Sequence, residues 1–256
     1  MATRIPRSAA PLAAYVLHRY DWSESSLILD LFTREQGRVA VAAKGAKRPY
    51  SQLRAVLLPF QRIHVNLGRA ARDETSSDVQ TLRGAEWAGG AAMLTGAALF
   101  SGFYLNELLM KFLARHDPHT ALFDAYAATL PALADTDDLA VEAALRAFEL
   151  TLLQQVGVLP ELSVVTQTQQ AVRPAARYAL LPEAGVSEAP GDEDTLRGDA
   201  LTGLQAALEH GSLPALQQAC RPCLAPLKTR LRGVIQHHLG SATLRTRRVM
   251  MELQGL

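Results

Sequence analysis

Cysteine is scarce in this chain. Only Cys220 and Cys223 occur among 256 residues, which excludes a scaffold stapled by several disulfides. An apolar leader is also missing: the first residues read M-A-T-R-I-P-R-S-A-A-P, without the hydrophobic centre of a secretory signal. A cytoplasmic protein is the expectation. The patterns G-x-S-x-G, G-x-x-x-x-G-K-[ST], H-E-x-x-H and G-x-G-x-x-G are all absent, so there is no nucleotide cradle and no visible nucleophile. No internal repeat is present. Trp87 to Leu105 lacks any charge and approaches the length of a membrane span. It is rich in Gly, Ala, Ser and Thr, however, and Asn106, Glu107 and Lys111 follow it, so it reads as a buried helix.

What is present is an uneven charge distribution. The net charge is only +1. Residues 1–83 carry 13 Lys and Arg against 7 Asp and Glu, residues 84–210 carry 6 against 17, and residues 211–256 carry 7 against 1. Two basic ends around an acidic middle fit a nucleic-acid surface better than a uniformly charged enzyme. With 48% hydrophobic residues the chain can bury a full core, and its length allows one or two domains.

The first eighty residues have strand periodicity. Leu12 to Tyr20 is one strand, D-W-S-E-S-S is turn chemistry, and Leu27 to Thr33 is a second strand. After E-Q-G, Arg38 to Ala43 returns. Leu53 to Leu67 contains a long strand in which Ile63, Val65 and Leu67 alternate with Arg62, His64 and Asn66. Arg69 to Ser77 is a polar loop, and Asp78 to Arg83 supplies the last short strand. Five strands with short turns predict a closed antiparallel barrel of OB-fold type. From Trp87 the period becomes helical. Helices are expected at Leu99 to Leu113, Ala121 to Leu133, and Asp138 to Val156, the last capped by Asp137 or Asp138. An irregular insert at about 157–198 holds a short hairpin around Arg177 to Leu181. Further helices are expected at Thr195 to Glu209, Ala215 to Leu239 and Leu244 to Leu253. The predicted architecture is therefore a five-stranded OB-fold barrel at 1–83 and an all-helical domain at 84–256 with the irregular insert and no zinc finger.

Three clusters invite chemistry and do not support it. Cys220-Arg221-Pro222-Cys223 has the C-x-P-C form of a redox site, but the residues before it are helical and no βαβ unit is present. One C-x-x-C pair also supplies only half of a zinc site. His237 and His238 are adjacent and point to different helix faces. Asp192, Glu193 and Asp194 read as a solvated acidic loop. The basic loop Lys44-Gly45-Ala46-Lys47-Arg48-Pro49-Tyr50 is different: its glycine permits close approach, its cations can track phosphates, and its tyrosine can stack a base. Arg34 and Arg38 flank the preceding turn and extend the patch. With Arg54 and Arg62 they complete the candidate DNA-binding set.

These residues resemble the RecO family of bacterial recombination mediators. The likeness is carried by A-Y-V-L-H-R (Ala14–Arg19), W-S-E-S-S-L-I-L-D-L-F-T (Trp22–Thr33), G-R-V (Gly37–Val39), A-K-G-A-K-R (Ala43–Arg48) and L-L-P-F (Leu57–Phe60). It continues in T-L-R-G-A-E (Thr81–Glu86), Y-L-N-E-L-L (Tyr104–Leu109), L-F-D-A-Y (Leu122–Tyr126), L-R-A-F-E-L-T-L-L-Q-Q-V-G (Leu145–Gly157) and H-L-G-S-A-T-L-R-T-R (His238–Arg247). The insert from Pro160 to Gly198 resembles the family least. The resemblance implies an N-terminal OB-fold and a C-terminal helical domain. It further implies binding of single- and double-stranded DNA, strand annealing, and action with RecR to load RecA onto strands coated by single-stranded DNA-binding protein (SSB). Many members hold zinc through four cysteines in the insert. Here no cysteine falls near Val164 and Val165, so the chain looks like a zinc-free branch.

The expected function is thus a DNA-binding mediator in DNA repair, nucleoid-associated in the cytoplasm, without membrane contact, cofactor or catalysis. Two rivals stand beside it: an RNA-binding OB-fold protein of translation or ribosome assembly, and an enzyme sited in the helical domain. The family's helical domain binds the acidic, apolar-ended SSB tail. On that basis Lys111 and Arg115, four apart beside Leu108 and Phe112, and Lys228 and Arg232, beside Leu224 and Leu231, are the expected cations of a tail groove. That groove requires their two helices to pack side by side.

Overall fold

The computed structural model describes residues 10–68, 78–90, 93–191, 193–240 and 244–254. The N-terminal expectation, the whole polar loop from Arg69 to Ser77, and Asp192 lie outside them. The chain divides into two compact units. One comprises residues 1–93 with Leu113–Phe123, and the other Leu94–Phe112 with Asp124–Leu256.

The first unit is a closed barrel. Its strands are β1 (Leu12–Asp21), β2 (Leu27–Thr33), β3 (Gly37–Ala43), β4 (Ile63–Leu67) and β5 (Gln80–Trp87), with a short helix α1 (Leu53–Val56) between β3 and β4. The order is β1-β2-β3-β5-β4, and β1 pairs with β4 to close the ring. The β3–β5 pair is parallel and the remaining pairs are antiparallel. This is the OB-fold, and closure leaves it no free edge. Alternation explains the core. Ala14, Val16, Leu29, Leu31, Val39, Val41, Ile63 and Val65 are all fully buried inside, while His64 between two of them is exposed. Each fully buried large aliphatic contributes about 1.5–3 kcal/mol relative to exposure.

Two strand expectations need correction. The run from Leu53 is not all strand: Leu53–Val56 is helical, and Leu53 and Val56 pack against the barrel core. Pro59, which has no amide to donate, and Phe60 at φ +64° separate this helix from β4. At the other end β5 continues to Trp87, so the barrel reaches past Arg83.

Leu113–Phe123 belongs to the barrel unit as well. The His116 amide donates to the Arg38 carbonyl at 2.9 Å, and Arg115 forms a β-bridge with Arg38. Phe123 packs its ring on Tyr15 and Phe32 at 5.3 and 5.4 Å. Gly37 makes this possible. Its φ is +66°, and a Cβ there would fall 1.9 Å from the Asp117 carbonyl oxygen.

The second unit is built on α2 (Gly96–Phe112), most of α3 (Thr120–Ala132), α4 (Asp138–Gln155), α5 (Gly198–His210), α6 (Leu213–Cys220), α7 (Leu224–His238) and α8 (Arg245–Gln254). Asp137 caps α4 by accepting from the Leu139 amide at 3.0 Å. The α4 helix packs on α6 and α7, and α2 packs on α8. No described helix is long and apolar enough to cross a membrane. The expected helix from Ala215 to Leu239 is in fact two, because Pro222 sits in a 3-10 turn, Arg221–Cys223, that separates α6 from α7. The insert holds the expected hairpin as β6 (Arg177–Leu181) and β7 (Gly185–Glu188). A third strand, β8 (Leu196–Arg197), joins them in the order β7-β6-β8.

Candidate nucleic-acid interface

A β-bulge in β1 organises the surface of the barrel. Its register against β2 runs Val16↔Leu31 and then His18↔Asp30, so Leu17 is the extra residue. Without that slip the even-numbered positions would continue the core face of Ala14 and Val16. The bulge transfers them to the outer face, where Asp30 lies. Beyond it β1 is exposed on both sides. His18 and Tyr20 take the outer face, with rings 4.4 Å apart and edge-on. Arg19 and Asp21 turn to the mouth of the barrel.

A cleft of about 440 Å³ opens at that mouth, lined by Arg19, Asp21, Lys47, Arg54 and the apolar Leu27 and Leu53. The basic loop folds over it. The Gly45 amide donates to the Ser26 hydroxyl at 3.3 Å and the Lys47 amide to the Ser25 carbonyl at 3.0 Å. Lys47 Nζ pairs with Asp21 at 3.0 Å. Arg19 donates to the Leu57 carbonyl at 3.5 Å. Lys44, Arg48 and Arg54 are exposed and have no ion-pair partner among the described residues. Tyr50 is entirely exposed.

The expected set is not brought to one place. Arg34 and Arg38 sit at the β2–β3 turn, the far end of a seven-residue hairpin from Lys44–Tyr50, which is roughly 20 Å of strand. Arg34 is half-buried. Arg38 is more confined: its side chain is 15% exposed and its Nε lies 3.7 Å from the Asp30 carboxylate. Arg115 approaches the same carboxylate at 3.9 Å, and the Tyr20 hydroxyl lies near it. Burial first, and then the nearby Asp30 charge, hold that hydroxyl above its ordinary pKa. Arg62, just before β4, is half-buried, and its Nε is buried without an acceptor among the described residues.

The tail-groove expectation is corrected in one respect. Lys111 and Arg115 do not share a helix face, because α2 ends at Phe112 and Arg115 belongs to the barrel unit. Lys111 instead acts on Glu107. Burial alone would raise that carboxyl. Hydrogen bonds from the Thr246 and Arg245 amides and the Thr246 hydroxyl, with the Lys111 charge, outweigh it and lower the pKa. Glu107 so caps the start of α8 at 2.8 and 2.9 Å. Lys228 and Arg232 do border a cavity of about 440 Å³ in the helical unit, with Leu145, Ile235, Leu244 and Tyr104. Its floor holds a buried pair, Arg146 donating to Glu149 at 2.6 Å, and the Tyr104 hydroxyl donates to the same oxygen at 2.6 Å. Burial raises Glu149 despite the Arg146 charge, and raises Tyr104 well above its ordinary range.

Cys220 and Cys223 are both buried and not joined. Burial raises Cys223 to about 11 and Cys220 further, so neither is a thiolate nucleophile at neutral pH. Among the described residues no three His, Cys, Asp or Glu side chains converge as a metal site would need.

The family profile for the recombination protein O N terminal matches residues 11–89, and that for the recombination protein O C terminal matches residues 93–248. The chain belongs to the RecO family. Among its relatives is the DNA repair protein RecO of Polaromonas sp. (strain JS666 / ATCC BAA-500), 51% identical over 95% of this chain and 96% of that protein. The DNA repair protein RecO of Acidovorax ebreus (strain TPSY) is 49% identical over 98% and 99%. That of Verminephrobacter eiseniae (strain EF01-2) is 50% identical over 95% and 96%.

In this RecO-family chain, sequence reasoning missed Arg19, Tyr20, Trp22 and Asp30. A signal existed for one of them: Asp30 is the charged member of the otherwise apolar run L-I-L-D-L-F, which marks a partnered carboxylate. Nothing local marked Arg19, because its position depends on the bulge.

Proposed function

We propose that this chain is a DNA-binding mediator of recombinational repair. It binds single- and double-stranded DNA through the barrel and anneals complementary strands. With RecR it helps load RecA onto single strands coated by SSB. The observation that carries the reading is the mouth of the barrel, where Arg19, Lys47 and Arg54 surround one cleft and Lys44 and Arg48 stand without acidic partners among the described residues. Annealing requires two polyanions to be held together, and such a surface lowers their repulsion by replacing condensed counterions. No covalent step is needed for that role.

The cavity bordered by Lys228 and Arg232 supports the SSB contact. An acidic tail ending in an apolar residue needs an apolar pocket with cations at the rim. Arg115 and Lys111 have no part in that site as now proposed.

Binding of labelled oligo-dT and of a duplex, followed by anisotropy across salt, tests the DNA claim. Each phosphate contact on a single strand should contribute a log–log slope of roughly −0.7. Lys47→Glu with Arg54→Glu should lower affinity for all sequences alike and flatten the slope by about 1.4. Unchanged affinity and slope in that variant would remove the reading. Comparison with oligo-U separates DNA from RNA as the preferred polymer. A labelled tail peptide tests the second site, where Lys228→Glu or Arg232→Glu should weaken binding at least roughly tenfold.

A further inference from the structure

The outer face of β1 carries a second, aromatic feature. Tyr20 and Trp22 are exposed to 42% and 56%. Tyr20 lies in the last residues of β1 and Trp22 one residue past its end, where the turn is closed by the Trp22 and Ser23 amides donating to the Ser26 carbonyl. Single exposed rings are ordinary, but two neighbouring ones make an apolar patch of the kind that marks an interaction site.

Tyr20 is also pre-set. The His18 ring meets it edge-on at 4.4 Å, and its hydroxyl lies on the side of the buried Asp30 carboxylate. A ring already packed against a neighbour loses less freedom when something stacks on it. Tyr50 offers the opposite case, since it is fully exposed and any stacking on it must first order it. The charge beside Tyr20 is suitable too. Two guanidinium groups, Arg38 and Arg115, face one carboxylate, and the Arg115 side chain is 41% exposed.

Resting on the proposed function, we infer that Tyr20 and Trp22 form a stacking platform for the unpaired bases of single-stranded DNA. Arg115 takes a phosphate of the same strand, held in place by Asp30, which is a positioning residue. The platform distinguishes strand types. Flipped or unpaired bases can lie on the rings, whereas bases stacked inside a duplex cannot. The basic mouth of the barrel reads only backbone and serves both.

The chain has two tryptophans, Trp22 and Trp87, so its own fluorescence reports the platform. Titration of the full chain with oligo-dT should quench the emission. The quench should disappear in Trp22→Phe and persist in Trp87→Phe. In anisotropy, Trp22→Leu and Tyr20→Leu should each weaken single-strand binding roughly tenfold and leave duplex binding unchanged. Asp30→Asn should weaken single-strand binding in the same selective way, with thermal denaturation confirming the fold. Quenching that survives Trp22→Phe, or an equal loss on duplex in Trp22→Leu, overturns the platform while the proposed function stands. Absence of DNA binding by the parent chain overturns both.

Discussion

Among the described residues, the basic mouth of the barrel and the helical unit pair their cations to different degrees: of Lys44, Lys47, Arg48 and Arg54 only Lys47 meets a carboxylate, that of Asp21 at 3.0 Å. In the helical unit, Arg146 is buried against Glu149, Lys228 meets Glu142 at 2.6 Å, Arg197 meets Asp199 at 2.6 Å, and Arg173 meets Glu188 at 2.8 Å. At the mouth of the barrel Lys44, Arg48 and Arg54 stand without acidic partners among the described residues. A count of Lys and Arg along the sequence does not see this difference. A cation already neutralised by a carboxylate has less to offer a phosphate, so the unpaired group marks an interface more sharply than the basic segment does. Exposed pairs also add little to stability, whereas the buried pair matters greatly.

The sharpest test of the comparison is Arg146→Ala. It would leave the Glu149 carboxylate buried without its cation and should cost about 3–5 kcal/mol in urea unfolding. A loss below about 1 kcal/mol would mean that the helical unit does not depend on its internal pair. Next in size is Gly37→Ala. The left-handed backbone alone should cost about 1–3 kcal/mol, and the clash with Asp117 adds to it. Unfolding that is unaffected would show that Leu113–Phe123 does not dock on the barrel as described.

Glu107→Gln should have a smaller effect, about 1 kcal/mol for a partly exposed cap. Its folded pKa is lowered, so its contribution is present above the unfolded carboxylate range and is lost as pH falls through the folded value. Hydrogen exchange in α8 should therefore accelerate on acidification in the parent and be already fast in the variant. A parent whose α8 protection is flat across that pH range would contradict the cap. The smallest effect is expected at the barrel mouth. Lys44→Gln, Arg48→Gln and Arg54→Gln should each change stability by less than about 0.5 kcal/mol. A larger loss in any of them would mean that the residue is structural and would erase the contrast between the units.

What the sequence by itself determined is local or periodic. The bounds of β2, the alternation of Ile63 and Val65 with His64, an aspartate cap at 137 or 138 and the five-strand count were all legible, because neighbouring residues and a period of two or 3.6 set them. The family was legible as well, from motifs that run through nearly the whole chain. Other features arose only from cross-strand and long-range partners. The period-two pattern of β1 loses its meaning at Leu17, because a bulge exchanges the two faces and only the partner strand reveals the slip. Four-residue spacing placed Arg115 beside Lys111, but the helix ended at Phe112 and the chain turned back to the barrel. The split at Pro222 is the exception, a local signal that the helical period on either side of it masked. Arg34 and Arg38 are near the basic loop in sequence and a full hairpin length away in space. Strand length separates what sequence distance brings together, and the tertiary fold alone decides which of the cations share a surface.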